Sequence, residues 1–166
     1  MRTNVAAAYT LVLGIGNILL SDDGIGVHVI RALDALECAG EIPHPVALRD
    51  SGTLGLSLLS EIEDFGSLIA VDAVELGAEP GTVKIFQGPD MDRQLTGKKR
   101  TAHEVALADL MSAARLAGCE PARRALVAIQ PESTQWGLSL TPAVGAAIPT
   151  ACQQIKTLLS RWDHDS

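Results

Sequence analysis

Aromatic side chains are almost missing from this chain, which has two Phe, two Trp and one Tyr in 166 residues. So few rings cannot build a base-stacking platform, and a net charge of −7 at pH 7 opposes a nucleic-acid footprint. Cysteine is scarce too. Cys38, Cys119 and Cys152 are odd in number and far apart, which argues against a disulfide framework or a thiolate metal cluster and for reduced thiols in a cytoplasmic protein. No apolar run reaches the roughly 20 residues of a membrane-spanning helix, so no membrane role is expected. The stretch from Arg2 through Val5 to Gly16 is basic and then apolar, like an export signal. No small-residue cleavage site follows it, and Asn17 and an acidic pair come at once. Three catalytic signatures are also missing: the G-x-x-x-x-G-K-[ST] phosphate loop, the H-E-x-x-H helix and the G-x-S-x-G nucleophile elbow.

What remains is ample for a packed core. Hydrophobic residues make up 47% of the chain, and its length suits one domain over residues 1–166 with a polar tail from about 163. Strand and helix patterns alternate. Strands are expected over residues 9–16, 45–49, 68–71, 82–86 and 125–129, the fourth nearer an edge. Helices are expected over 24–38, with Val29, Ile30, Leu33 and Leu36 inward, and over 102–117, with Leu107, Leu110, Met111 and Ala114 inward. A short helix carries Leu54, Leu58, Leu59 and Ile62, and a last helix starts at Thr141-Pro142 with a kink near Pro149. Residues 87–100 read as a polar loop. The alternation predicts an α/β fold: a single three-layer domain, a mostly parallel twisted sheet with helices on both faces.

The chemistry concentrates at the ends of these elements. Gly14-Ile-Gly-Asn-Ile-Leu-Leu-Ser-Asp-Asp-Gly-Ile-Gly26 joins the first strand to the first helix. Loops of this kind line the ligand crevice of open α/β sheets. Here the loop holds carboxylates, which repel phosphate and attract a cation, and it lacks the third glycine of a dinucleotide fingerprint. Of Asp22 and Asp23, one suffices as a helix cap, and the second is free for function. Asp72 follows the third strand, and Asp50 follows the second in a turn-forming Asp-Ser-Gly-Thr. Thr101-Ala-His-Glu104 matches a capping box and puts His103 in the first turn of a helix. The dipole there favours neutral imidazole, the form that binds metals. Two carboxylates and one imidazole beside a sheet can form a three-ligand metal site with open positions, and ligand type does not choose among nickel, zinc, manganese and iron. His28, His44 and His164 suggest no role, and Lys98-Lys-Arg100 reads as a solvated run.

With these motifs in order, the chain resembles the nickel–iron hydrogenase maturation endopeptidases. The signature over residues 14–26, the Asp50-Ser-Gly-Thr53 loop, Ala70-Val-Asp-Ala73, Thr101-Ala-His103, and Gln130-Pro-Glu132 with Gly137-Leu-Ser-Leu-Thr-Pro142 are similar to that family's motifs in sequence and order. The resemblance implies an endopeptidase that removes the C-terminal extension of a hydrogenase large-subunit precursor after nickel insertion. It implies Asp23, Asp72 and His103 as catalytic, metal-contacting residues and Asp50 as a substrate contact. Some family members have Glu where this chain has Asp23. The implied cofactor is nickel carried by the substrate, and the implied partner is the precursor, met by a monomer. The alternative is a nickel carrier or chaperone in hydrogenase assembly that uses the same ligands without catalysis.

Overall fold

The computed structural model describes residues 9–42, 46–52, 56–97 and 101–164. His44, Leu54, the Lys98-Lys-Arg100 run and the start of the basic–apolar stretch lie outside them. Five strands form one sheet: β1 (Thr10–Ile15), β2 (Val46–Gly52), β3 (Ser67–Ala73), β4 (Val83–Gln87) and β5 (Arg123–Ile129), in the order β2-β1-β3-β5-β4. Pairings β1–β2, β1–β3 and β3–β5 are parallel, and edge strand β4 runs antiparallel to β5. The mostly parallel sheet and the edge place of the fourth strand are therefore as the sequence predicts.

Strands β1 and β3 are buried along their whole length, which explains why they read as continuous apolar runs. Their alternation still sorts the two layers. Val12, Ile69, Val71, Val127 and Ile129 face α1 (Ile25–Cys38) and α6 (Ile148–His164). Leu11, Leu13, Leu68, Ala70 and Leu126 face α2 (Leu59–Ile62), α3 (Pro89–Leu95) and α4 (Ala102–Ala117). Helix α1 buries Val29, Ile30 and Leu33 as its periodicity requires, and α4 buries Leu107, Leu110, Met111 and Ala114. Emptying one such position, as in Leu33→Ala, typically costs about 2–5 kcal/mol.

Several boundaries differ from expectation, each for a physical reason. Residues 87–100 are not all loop: Pro89 opens α3, whose Met91 and Leu95 enter the core. Two apolar residues one turn apart in a polar stretch are a weak signal. Helix α3 is tied to β5 by Arg124, which donates Nε–H to Asp92 Oδ1 (2.9 Å) and Nη2–H to Asp92 Oδ2 (2.6 Å). Strand β2 continues through Asp50 to Gly52, so Asp50 is a strand residue. Strand β3 also runs past Val71, so Asp72 lies within it. The last helical region is divided into α5 (Pro142–Gly145) and α6, with Pro149 in the first turn of α6, where the missing N–H is harmless. Helix α6 continues to His164, past the expected start of the polar tail.

Candidate active site at the strand ends

In strand order, β1 lies between β2 and β3: the chain passes from β1 to β2 on one side and then crosses from β2 past β1 to β3 on the other. Ligand crevices of open α/β sheets form outside the strand C-termini at such a reversal. The residues after β1 and at the end of β3 meet there.

A short 3-10 turn, Ser21–Gly24, joins β1 to α1 and carries both acids. It packs against backbone at contact distance. Gly16 has φ +132°, and a Cβ on it would lie 1.8 Å from Asp23 O. A Cβ on Gly26 would lie 2.3 Å from both Ile15 O and Val71 O. These glycines thus serve close helix–strand packing.

Asp23 accepts a hydrogen bond from Asn17 N–H through Oδ2 (3.0 Å). Its Oδ1 points towards His103 Nδ1 at 3.6 Å. From the other side, Asp72 Oδ1 also lies 3.6 Å from His103 Nδ1. Asp72 projects from the face of β3 that also bears Leu68 and Ala70, toward α4. The capping box that sets the start of α4 is complete: Glu104 N–H donates to Thr101 Oγ1 (3.2 Å), and Thr101 N–H donates to Glu104 Oε2 (2.8 Å). That cap fixes the first turn and hence the position of His103. Asp72 Oδ1 and His103 Nδ1 are buried, and neither has a hydrogen-bond partner.

This arrangement sets the proton affinities. Burial is the main effect on Asp72 and raises its pKa; His103 works against that rise, Asp23 adds to it, and the result is about 6. The His103 pKa is also raised, chiefly by Asp72, against its own burial and with further help from Asp72 and Asp23 charge. The sequence reading expected the helix dipole to favour neutral imidazole. The structure reverses that expectation, because facing carboxylates at 3.6 Å outweigh the partial charge of a helix end.

Taken pair by pair, each imidazole–carboxylate separation of 3.6 Å is close to that of two ligands on one cation. With bonds near 2.0–2.2 Å, neighbouring ligands on a tetrahedral ion stand roughly 3.4 Å apart. The donor set of two carboxylates and one imidazole is compatible with first-row divalent metals. Among the described residues, no group of three or more His, Cys, Asp or Glu side chains is placed to hold a metal ion.

Asp22 is not the helix cap that its position suggests; no side chain caps this turn. It is fully buried. Its Oδ2 accepts from Glu132 N–H (2.9 Å), Ser133 N–H (3.0 Å) and Thr141 Oγ1–H (2.8 Å), and its Oδ1 accepts from Thr141 N–H (2.7 Å). Burial alone would raise its pKa, but the bonds from Ser133, Thr141 and Glu132 outweigh burial and hold it below the usual carboxylate value. The carboxylate anchors the loop after β5. Sequence alone could not show this, because the partners lie 110–119 residues away. The one clue was a second acid where a cap needs only one.

Two recesses lie along the loop after β1. One, of about 200 Å³, is lined by Asp23, Ala73, Glu75, Thr101 and residues 131–134. Sequence reading passed over Glu75. Its Oε2 accepts from Gln130 Nε2–H (3.1 Å), and Gln130 Oε1 accepts from Leu76 N–H (2.6 Å). The other recess, about 260 Å³, is lined by Gly16, Asn17, Ile18, Val27, Asp50 and Gly52. Asp50 is therefore separate from the Asp23–Asp72–His103 cluster. Its Oδ1 accepts from Gly52 N–H (3.0 Å).

Comparison with known proteins gives a consistent result. The sequence model for the hydrogenase maturation protease family matches residues 27–158. The hydrogenase 2 maturation protease of Escherichia coli K12 is 39% identical over 150 residues, spanning 90% of this chain and 89% of that protein. The hydrogenase expression/formation protein HupD of Rhizobium leguminosarum is 37% identical over 153 residues, covering 92% of this chain and 74% of that one. Among solved structures, the hydrogenase maturating endopeptidase HybD from E. coli superposes with a TM-score of 0.83 at 36% identity, over 92% of this chain and 93% of that one.

Proposed function

Because this chain belongs to the hydrogenase maturation protease family and is thus an endopeptidase, we propose that it removes the C-terminal extension of a nickel–iron hydrogenase large-subunit precursor after nickel insertion. In this reading Asp23, Asp72 and His103 meet the nickel that the precursor carries. The observation that carries it is the pair of buried, unpartnered atoms, Asp72 Oδ1 and His103 Nδ1, facing each other at 3.6 Å with Asp23 Oδ1 beside them. Burying polar atoms without partners is costly, and a cation on the substrate offers both of them a ligand. Nickel so placed would polarise the scissile carbonyl.

The chain's own residues do the rest. The three ligands fix the position of the precursor's metal centre, and holding the scissile bond against it gives the advantage of proximity. Direct attack by water would complete the hydrolysis. Asp50, on the second recess, contacts the substrate chain. No helix among the described residues is long and apolar enough to cross a membrane, and the three free cysteines suit the reducing cytoplasm, where we take the enzyme to act as a monomer. The carrier alternative accounts for the ligands but not for membership of a protease family.

The test compares precursor prepared with and without nickel, with enzyme pre-washed in chelator and products read by intact mass. Loss of the C-terminal segment from nickel-loaded precursor alone is expected. Equal cleavage of both preparations would refute a substrate-borne metal, and no cleavage of either would refute the assigned reaction.

A further inference from the structure

The loops after β1 and β5 are joined at backbone level. Ser21 N–H donates to Gly137 O (2.9 Å), Gly137 N–H donates to Leu19 O (3.0 Å), and Asp22 N–H donates to Ser133 O (3.0 Å). Ser21 Oγ–H donates to Gln135 O (2.9 Å), and Leu20 and Gly137 form a parallel bridge. The buried Asp22 carboxylate fastens the base of the joint. Four apolar side chains stand out from it: Ile18 is 38% exposed, Leu19 43%, Trp136 81% and Leu138 77%. Single exposed apolar residues are ordinary. Four of them on a joint this firmly bonded mark an interaction surface, because a rigid surface loses little freedom on binding.

We propose that this ridge is where the folded body of the large-subunit precursor docks, with Trp136 and Leu138 as its main anchors. The proposal rests on the reaction assigned above. Continuity with the site identifies the occupant. Residues 131–134 wall the recess that holds Asp23 and run directly into Gln135–Leu138. On the other side the chain goes from Ile18 and Leu19 to Asp23 within five residues. A polypeptide that presents a segment to Asp23 through this recess brings its body against the ridge beside it. A second copy of this chain seated there would cover the recess and block the reaction. The segments 17–21 and 133–141 carry no charged side chain, since neither contains Asp, Glu, Lys, Arg or His. In a chain of net charge −7, the complementary patch on the partner is therefore apolar.

The test is steady-state cleavage of nickel-loaded precursor by wild type, the Trp136→Ala/Leu138→Ala double variant and Leu116→Ala. Leu116 is 91% exposed and sits 13 residues from His103 on α4, about 20 Å along the helix. A companion measurement is the Kd of the precursor for each protein carrying His103→Ala, which reports docking without turnover. The double variant should raise KM and Kd by at least about tenfold, while kcat at saturation stays within about twofold. Leu116→Ala should leave both constants unchanged. Wild-type cleavage with unchanged KM and Kd in the double variant would overturn the ridge and leave the assigned reaction standing. So would a fall in kcat alone, or an equal effect of Leu116→Ala. Failure of wild type to cleave would overturn the assigned reaction, and with it the named partner.

Discussion

Asp22 and Asp23 are neighbours in sequence, yet their carboxylates join different clusters. Asp22 is fully buried, and its two oxygens accept four hydrogen bonds from residues 132, 133 and 141. The cluster that Asp23 joins contains Asp72 Oδ1 and His103 Nδ1, both buried and both without a partner. A satisfied buried carboxylate holds loops in place and supports the fold. An unsatisfied one costs stability and is expected where chemistry needs a free ligand. The contrast therefore separates an anchor from the candidate reaction centre within two consecutive residues.

The largest expected effect falls on the unsatisfied cluster. His103→Ala or Asp72→Ala should reduce precursor processing by at least about 100-fold, since even outer partners of a metal ligand typically cost 10–100-fold. Folding should survive, because neither atom at issue is hydrogen-bonded. Processing assays paired with far-ultraviolet circular dichroism would check this; full activity in either variant would reject the ligand assignment.

Next comes the anchor. Asp22→Ala leaves three backbone N–H groups and a hydroxyl without their acceptor and should destabilise the protein by about 3 kcal/mol or more. Because the Asp22 pKa lies below 3.8 in the folded state, its contribution is complete above pH 3.8 and is lost as pH falls below that. Urea unfolding at neutral pH and near pH 3 should thus show a large gap between wild type and variant that narrows in acid. A loss under 1 kcal/mol at neutral pH would mean the loop is held by other contacts.

A smaller effect of opposite sign is expected at Asp72. Its folded pKa near 6 is above the usual 3.8, so its protonation stabilises the fold fully below about pH 3.8, and that benefit fades as pH rises through about 6. Asp72→Asn removes this titration and the main cause of the raised His103 pKa. Urea midpoints measured from pH 4 to 7 should decline less steeply for the variant, and identical slopes would contradict the burial argument.

The smallest change concerns a pair remote from both clusters. Arg124→Ala breaks the two-pronged contact to Asp92 and should cost about 1 kcal/mol, with the difference shrinking in high salt. Thermal melts at low and high ionic strength would measure it.

Much of the fold was legible because the strands and long helices carry regular apolar patterns. Helix α4 was read to the residue, since Thr101 and Glu104 mark its start and Gly118, at φ 73°, its end. Helix α3 was hidden because it buries only Met91 and Leu95. Asp72 and one of the Asp22–Asp23 pair stood out as candidates because sites of this fold lie at strand ends, and His103 because a capping box marks its helix start, while the choice of Asp23 rests on the family resemblance. The role of Asp22 and the raised proton affinity of His103 could not be read, because both depend on side chains that only folding brings near.

Gly26 gives this layout a gauge. It sits where β1 and β3 diverge, with no room for a Cβ beside Ile15 O and Val71 O. Those two residues immediately precede Gly16 and Asp72, and Gly26 itself follows Asp23 by three positions. One added methyl would push the helix start away from both strands at once. The resulting protein would keep Asp23, Asp72, His103 and most of its core. It would be a machine with every part present and its tolerance lost, whose defect no inventory of side chains at the site would reveal.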